Sequence, residues 1–162
     1  MTNEIIIENL PFWKTSRSSP DTWIDRTVDL IKKFDGELLN QAQGTDHKSG
    51  RAAFLIVFKL QGDTFKIVFP VLKPQKDSDA RSAKVQAATI LYHDVKSRLI
   101  SAKILGARNV FFGNLLLKNG ATAAELENPM LSVKRIFSLE DGNQNNKSDT
   151  IDAEYEDIEE GE

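Results

Sequence analysis

Apolar and polar positions alternate most regularly over residues 51–72, where two runs rich in Phe, Ile and Val flank Gln61-Gly62-Asp63-Thr64. A period of two marks half-buried strands, and two such runs around a glycine form a β-hairpin. With Gly62-Asp63 as the turn, since Gly accepts the positive φ that hairpin turns need, Leu60 faces Phe65, Phe58 faces Ile67 and Ile56 faces Phe69. Val57 then faces Val68 and Lys59 faces Lys66 on the opposite side. One face of the ribbon is aromatic and apolar, the other mixed and basic. Directly opposed lysines repel, so either water solvates that face or an anion lies near it. Residues 37–43 read as a preceding strand, which makes 37–72 an antiparallel meander of three. Residues 109–117 add a further strand, with Gly113 marking a bulge or a close approach.

The period lengthens to that of a helix after Ser19, a good N-cap followed by Pro20 at the first helical position and Asp21 at the positive end of the dipole. Ile24, Val28 and Ile31 recur on one side, with Trp23, Thr27 and Phe34 at the margins. Gly36 is expected to end this helix as a left-handed cap. The longest helix spans about 79–105, capped by Ser78 or Asp79 and ended by Gly106. In it Ala80, Ala83 and Ala87 form a slim stripe, and Ala88, Leu91, Val95, Leu99 and Ala102 a greasier one. Residues 2–9 read as a short edge strand and 10–17 as a loop or extended arm. Lys118-Asn119-Gly120 is a turn, Thr122-x-x-Glu125 resembles a capping box, and 130–137 is open between strand and helix. The fold class expected is α+β: an antiparallel sheet of about four strands packed against an N-terminal helix and a long central helix. Two sizeable helices and so few strands do not suit an OB barrel.

Length and charge refine this picture. The 162 residues suit one core of ordinary size. Cysteine is absent, which excludes disulfides, thiolate metal sites and thiol catalysis. Ile5-Ile6-Ile7 is the only apolar run near the start, far short of a signal peptide or a membrane span, so a cytoplasmic protein without membrane attachment is expected. The net charge of −3 is the difference between two unlike parts. Residues 1–138 carry 20 Lys and Arg against 14 Asp and Glu, a balance of +6; residues 139–162 carry one Lys against 10 acids, a balance of −9. The division predicts a basic α+β domain over 1–138 and a disordered acidic tail over 139–162, whose few apolar residues cannot offset the entropy lost on ordering.

Catalytic patterns are missing. The two histidines, His47 and His93, lie in a loop and in the middle of a helix without a nucleophile elbow. No H-E-x-x-H occurs, and the loop bounded by Gly44 and Gly50 lacks the Gly-Lys-Ser/Thr ending of a phosphate-binding P-loop. No carboxylate precedes Lys73 in Phe69-Pro70-Val71-Leu72-Lys73, as a metal-dependent nuclease would want. A non-enzymatic protein without cofactor or metal is expected. The cations have a clearer pattern. Lys73, Lys76, Arg81 and Lys84 crowd the approach to the long helix, Lys48 and Arg51 lie in and beside the glycine-bounded loop, and Lys59 and Lys66 lie on the hairpin. Phe12 and Trp13, beside Lys14 and Arg17, either plug the end of the core or stack bases while the cations neutralise phosphates. These twelve residues are the candidate nucleic-acid-binding set.

A basic body joined by a polar linker to the acidic segment over 149–162 resembles the acidic-tailed single-stranded DNA-binding proteins of bacteria and their phages. The likeness covers the tail and the charge layout, and this tail lacks the usual Pro-Phe terminus. The resemblance implies sequence-independent binding of single-stranded DNA in replication, recombination and repair. It also implies a tail that recruits replication or repair proteins and competes with DNA for the basic groove. RNA binding and homo-oligomerisation remain open. The alternative is a protein-interaction module or accessory subunit whose tail only solubilises it, with the basic body docking an acidic partner.

Overall fold

The structure, a computed structural model, describes residues 5–14, 16–46 and 50–125. Helix α1 (Pro20–Lys33) begins as expected: Ser19 has extended backbone, and its Oγ accepts a hydrogen bond from the Thr22 N–H at 3.2 Å. Ile24, Thr27, Val28 and Ile31 are buried. The helix ends in a Schellman arrangement, with the Gly36 N–H donating to the Ile31 carbonyl at 2.9 Å and the Asp35 N–H to the Lys32 carbonyl at 3.0 Å. The left-handed residue is Asp35 (φ 66°), not Gly36 as the sequence suggests. Glycine is required one position later for room: a Cβ on Gly36 would sit 2.6 Å from Ile31 Cγ2 and 2.9 Å from the Ile31 carbonyl oxygen.

Strands β1 (Glu37–Thr45), β2 (Ala52–Leu60) and β3 (Asp63–Pro70) form an antiparallel sheet in that order. The hairpin register differs from the expected one by two residues. Phe58 faces Phe65, Val57 faces Lys66 and Lys59 faces Thr64. The turn is Gln61-Gly62, both with positive φ (51° and 88°), as a type I′ turn demands. Because the slip is even, each side chain keeps its face, but Lys59 and Lys66 no longer oppose one another. Gln61 gives the physical reason for the turn's position: its Oε1 accepts from the Ala107 N–H at 2.8 Å and its Nε2 donates to the Ala102 carbonyl at 3.4 Å. The turn is thereby docked where the long helix ends.

That helix, α2 (Ala80–Leu105), buries Ala83, Ala87, Ala88, Leu91, Val95, Leu99 and Ala102, so both expected apolar stripes face the core except at Ala80, which is exposed in the first turn. It shares one buried cluster with Ile24 and Ile31 of α1 and with Phe54, Ile56, Phe58, Leu60, Phe65 and Ile67 of the sheet. Gly106 ends it at φ 85°. Asp79 holds the N-cap position after a 3-10 turn (Asp77–Asp79) but makes no side-chain cap bond; its carboxylate is taken by Lys14 at 3.1 Å instead.

The fourth strand expected over 109–117 does not form. Helix α3 (Ala107–Val110) and a 3-10 turn (Phe112–Asn114) occupy most of it, and the helical turn drives Phe111 between Phe58 and Phe65, each ring centroid 5.4 Å away. Only single bridges remain, Leu115 against Phe65 and Leu116 against Thr122. Among the described residues the sheet has three strands. Arg108 clamps the hairpin with two bonds to Asp63, Nε to Oδ2 at 2.9 Å and an Nη to Oδ1 at 2.7 Å.

Residues 5–6 are irregular and Ile7–Asn9 is a 3-10 turn, so the expected edge strand is absent there too. The capping box is half realised: the Thr122 N–H donates to Glu125 Oε2 at 2.7 Å at a 3-10 turn (Ala123–Glu125). The readings of residues 2–4, 130–137 and 139–162 fall outside the described residues. No helix among the described residues is long and apolar enough to cross a membrane.

Candidate nucleic-acid interface

The interface begins with an amide inside α2. Gln86, 2% exposed, donates from Nε2 to the carbonyls of Ile7 (2.9 Å) and Pro11 (3.0 Å), with a longer contact to that of Leu10 (3.4 Å). The two protons of this buried amide nitrogen serve the Ile7 and Pro11 carbonyls, which helps to hold the N-terminal arm against the helix. Beyond this anchor Phe12 (φ 65°) and Lys14 (φ 53°) are both left-handed, a conformation costly for side chains with a Cβ and maintained only where neighbours enforce it.

The arm delivers two chemistries to one place. Phe12 stacks on the exposed ring of His93, centroids 5.1 Å apart and planes 11° from parallel. Trp23 tilts against Tyr92 at 5.2 Å and His93 at 6.1 Å, and the Arg26 guanidinium lies 4.8 Å from the Trp23 ring. Next to this patch, Lys14, Arg17 and Arg81 line a cavity of about 220 Å³ together with Ser16, Ser18, Ser82 and Val85. Ser16 joins the two, because its Oγ accepts from Trp23 Nε1 at 2.8 Å. Among the described residues no carboxylate lies within ion-pairing distance of Arg17 or Arg81. Lys14 also lies 4.9 Å from the ring of Trp13.

A second cavity of about 220 Å³ collects Arg51, Lys73 and Lys84 around Gly50, Ala52, Val71, Leu72, Pro74, Ala80 and Ala83. The first turns of α2 separate the two cavities: Ala80, Ala83 and Lys84 line one, Arg81, Ser82 and Val85 the other. Helical spacing thus shares the basic run between two faces. Six of the expected cations are grouped in this way, and Phe12 and Trp13 lie on the arm beside them.

The remaining expected residues are elsewhere. Lys66 lines a third cavity with Ala42, Gly44, Ala53, Leu55 and Val68, and its Nζ donates to the Gly120 carbonyl at 3.2 Å. Lys59 is exposed on the same sheet face, and Lys76 is exposed just before the 3-10 turn at Asp77. Lys48 lies outside the described residues, as does His47. Sequence reasoning missed the roles of Trp23, Arg26, Tyr92, His93 and the three serines. The one signal available was the pairing of serine with arginine in Ser16-Arg17-Ser18 and Arg81-Ser82. Among the described residues no three His, Asp or Glu side chains gather to hold a metal ion.

Comparison with protein families, with characterised proteins and with solved structures yielded no match to this chain.

Proposed function

We propose that the protein binds single-stranded DNA without sequence preference, on an open three-stranded α+β scaffold rather than an OB barrel. One observation carries this reading: a cavity lined by Lys14, Arg17 and Arg81 adjoins an exposed aromatic stack of Phe12 on His93. Phosphates and bases present a charge and a π face in just this kind of proximity. The cations would release condensed counterions, giving a log–log salt slope of about −0.7 per phosphate, while stacking would add roughly 1–3 kcal/mol per base. Arg51, Lys73 and Lys84 supply a second group of phosphate contacts. The reading requires no chemistry of bond making, and the acidic residues 139–162 would recruit replication or repair proteins and compete with DNA for the cations.

A second reading rests on a different observation. Ile100, Ile104 and Leu105 are 49%, 81% and 59% exposed at the far end of α2, an apolar group suited to a protein partner or a second copy of the chain. In that reading the protein is an accessory subunit and the cations serve an acidic protein.

Titration with oligo-dT, followed by the emission of Trp13 and Trp23 at rising salt, separates the two. Quenching that weakens steeply with salt supports strand binding, and a duplex of equal length shows whether unpaired bases are needed. No response at low salt overturns the nucleic-acid reading.

A further inference from the structure

We propose that the Lys14–Arg17–Arg81 cavity is a receptor for a phosphomonoester, and that it takes the terminal phosphate of a strand end rather than an internal phosphodiester. The inference rests on the single-strand reading and makes it more specific. Three cations surround one cavity of about 220 Å³. Cations that track a strand lie in a row along it, because each internal phosphate carries one negative charge and successive phosphates are spread out. Here they converge. Asp79 offsets Lys14 at 3.1 Å, which leaves two positive charges, those of Arg17 and Arg81, without a carboxylate partner among the described residues. A terminal phosphate carries about −1.5 to −2 at neutral pH and three acceptor oxygens, so it matches both the charge and the convergence.

The hydroxyls fit the same ligand. Ser16 Oγ already accepts from Trp23 Nε1 at 2.8 Å and from the Ser18 N–H at 3.3 Å. With its lone pairs engaged, the O–H proton is what it has left to offer, and an anion is what that proton suits. Arginine adds fork-shaped donors that pair with phosphate oxygens two at a time. The arm's geometry agrees: left-handed backbone at Phe12 and Lys14, held by the Gln86 anchor, puts Lys14 on the cavity wall and Phe12 on the neighbouring stack. A terminal nucleotide would lay its base on that patch with its phosphate in the cavity.

Four oligo-dT strands of one length test this: 5′-hydroxyl, 5′-phosphate, 3′-phosphate, and a 5′-phosphate capped as its methyl diester, which keeps the phosphorus and removes one negative charge. At fixed salt one of the two phosphorylated ends should bind at least about tenfold tighter than the 5′-hydroxyl strand, the gain from one further hydrogen bond to a charged group; which end gains identifies its polarity. If the 5′ end gains, the methyl-capped strand should fall back to the hydroxyl strand. Arg81→Gln or Arg17→Gln should bring the ratio close to one, whereas Lys73→Gln should weaken both strands and leave the ratio intact. Equal affinity for all four strands overturns the end receptor while leaving strand binding in place. A methyl-capped strand that binds as tightly as a preferred 5′-phosphate also overturns it, and the absence of binding by any strand overturns the single-strand reading itself.

Discussion

Gln86 donates a hydrogen bond at 2.9 Å to the carbonyl of Ile7, a residue 79 positions earlier in the chain. The amide is buried within α2 and, together with the burial of Ile7 in the core and the Gln75 N–H donating to Glu8 Oε1 at 3.0 Å, this contact helps to fix where the arm lies. Replacing Gln86 with Leu should leave the buried Ile7 carbonyl without a donor, at a cost of about 1–3 kcal/mol. Urea unfolding should show the loss. Phe12 and Lys14 should lose their fixed positions too, so oligo-dT affinity should fall in variant protein that is still folded.

Gly36→Ala should destabilise the protein by about 1–3 kcal/mol, because the new methyl would meet Ile31 Cγ2 and the Ile31 carbonyl at distances no relaxed contact permits. Thermal unfolding measures this. Gly44→Ala, where nothing lies within 4 Å of an added Cβ, is the control and should change stability far less.

Asp63 and Arg108 should be coupled. Their two short bonds fix the hairpin against α3, and both side chains are partly shielded from water (17% and 35% exposed). A double-mutant cycle with Asp63→Asn and Arg108→Gln should return an interaction energy of about 1–2 kcal/mol, below the range for breaking fully buried pairs because water still screens this one. Additive single mutants would remove the clamp from the account.

Arg17→Gln and Arg81→Gln should each weaken binding of oligo-dT that carries the preferred terminal phosphate and reduce the magnitude of its salt slope by about 0.7, the contribution of one phosphate on a single strand. Lys59→Gln, an exposed side chain facing Thr64 on the sheet, should change neither appreciably. Fluorescence titrations at several salt concentrations give both quantities. A slope that responds to Lys59 and not to the arginines would move the interface to the sheet.

Removing residues 139–162, which carry 10 acids and one lysine, should tighten oligo-dT binding at low salt and have little effect at high salt, where screening already weakens the competition. Unchanged affinity at low salt would show that the acidic segment does not compete for the cations.

Local signals were legible where one short stretch of chain contains its own cause. Ser19-Pro20 starts α1 as a cap and a preset φ require, Gly106 ends α2, and the apolar spacing separates buried from exposed faces in β2 and β3, and in α2 apart from the exposed Ala80 and the buried polar Gln86 and Thr89. The hairpin register was not legible, because the choice between turns at Gln61-Gly62 and Gly62-Asp63 depends on Gln61 reaching Ala102 and Ala107. Phe111 misled in the same way: an aromatic run has strand character by local preference, and here it forms a helical turn whose ring fills the gap between Phe58 and Phe65.

The candidate interface divides along the same line. Six of its cations and Phe12 could be named from the chain alone, since charge and ring are properties of residues, whereas His93, on which Phe12 stacks, and Arg26 beside Trp23 could not. Which of them meet was decided by packing: the Gln86 anchor brings the arm to α2, and helical spacing sends Arg81 to one cavity and Lys84 to the other. Sequence by itself determined the layers, the buried faces and the opposite charges of the two segments, because these follow from periodicity and composition. Only the tertiary structure decided the register, the three-stranded sheet and the grouping of the cations, because each depends on contacts between residues far apart in the chain, where several local choices cost nearly the same.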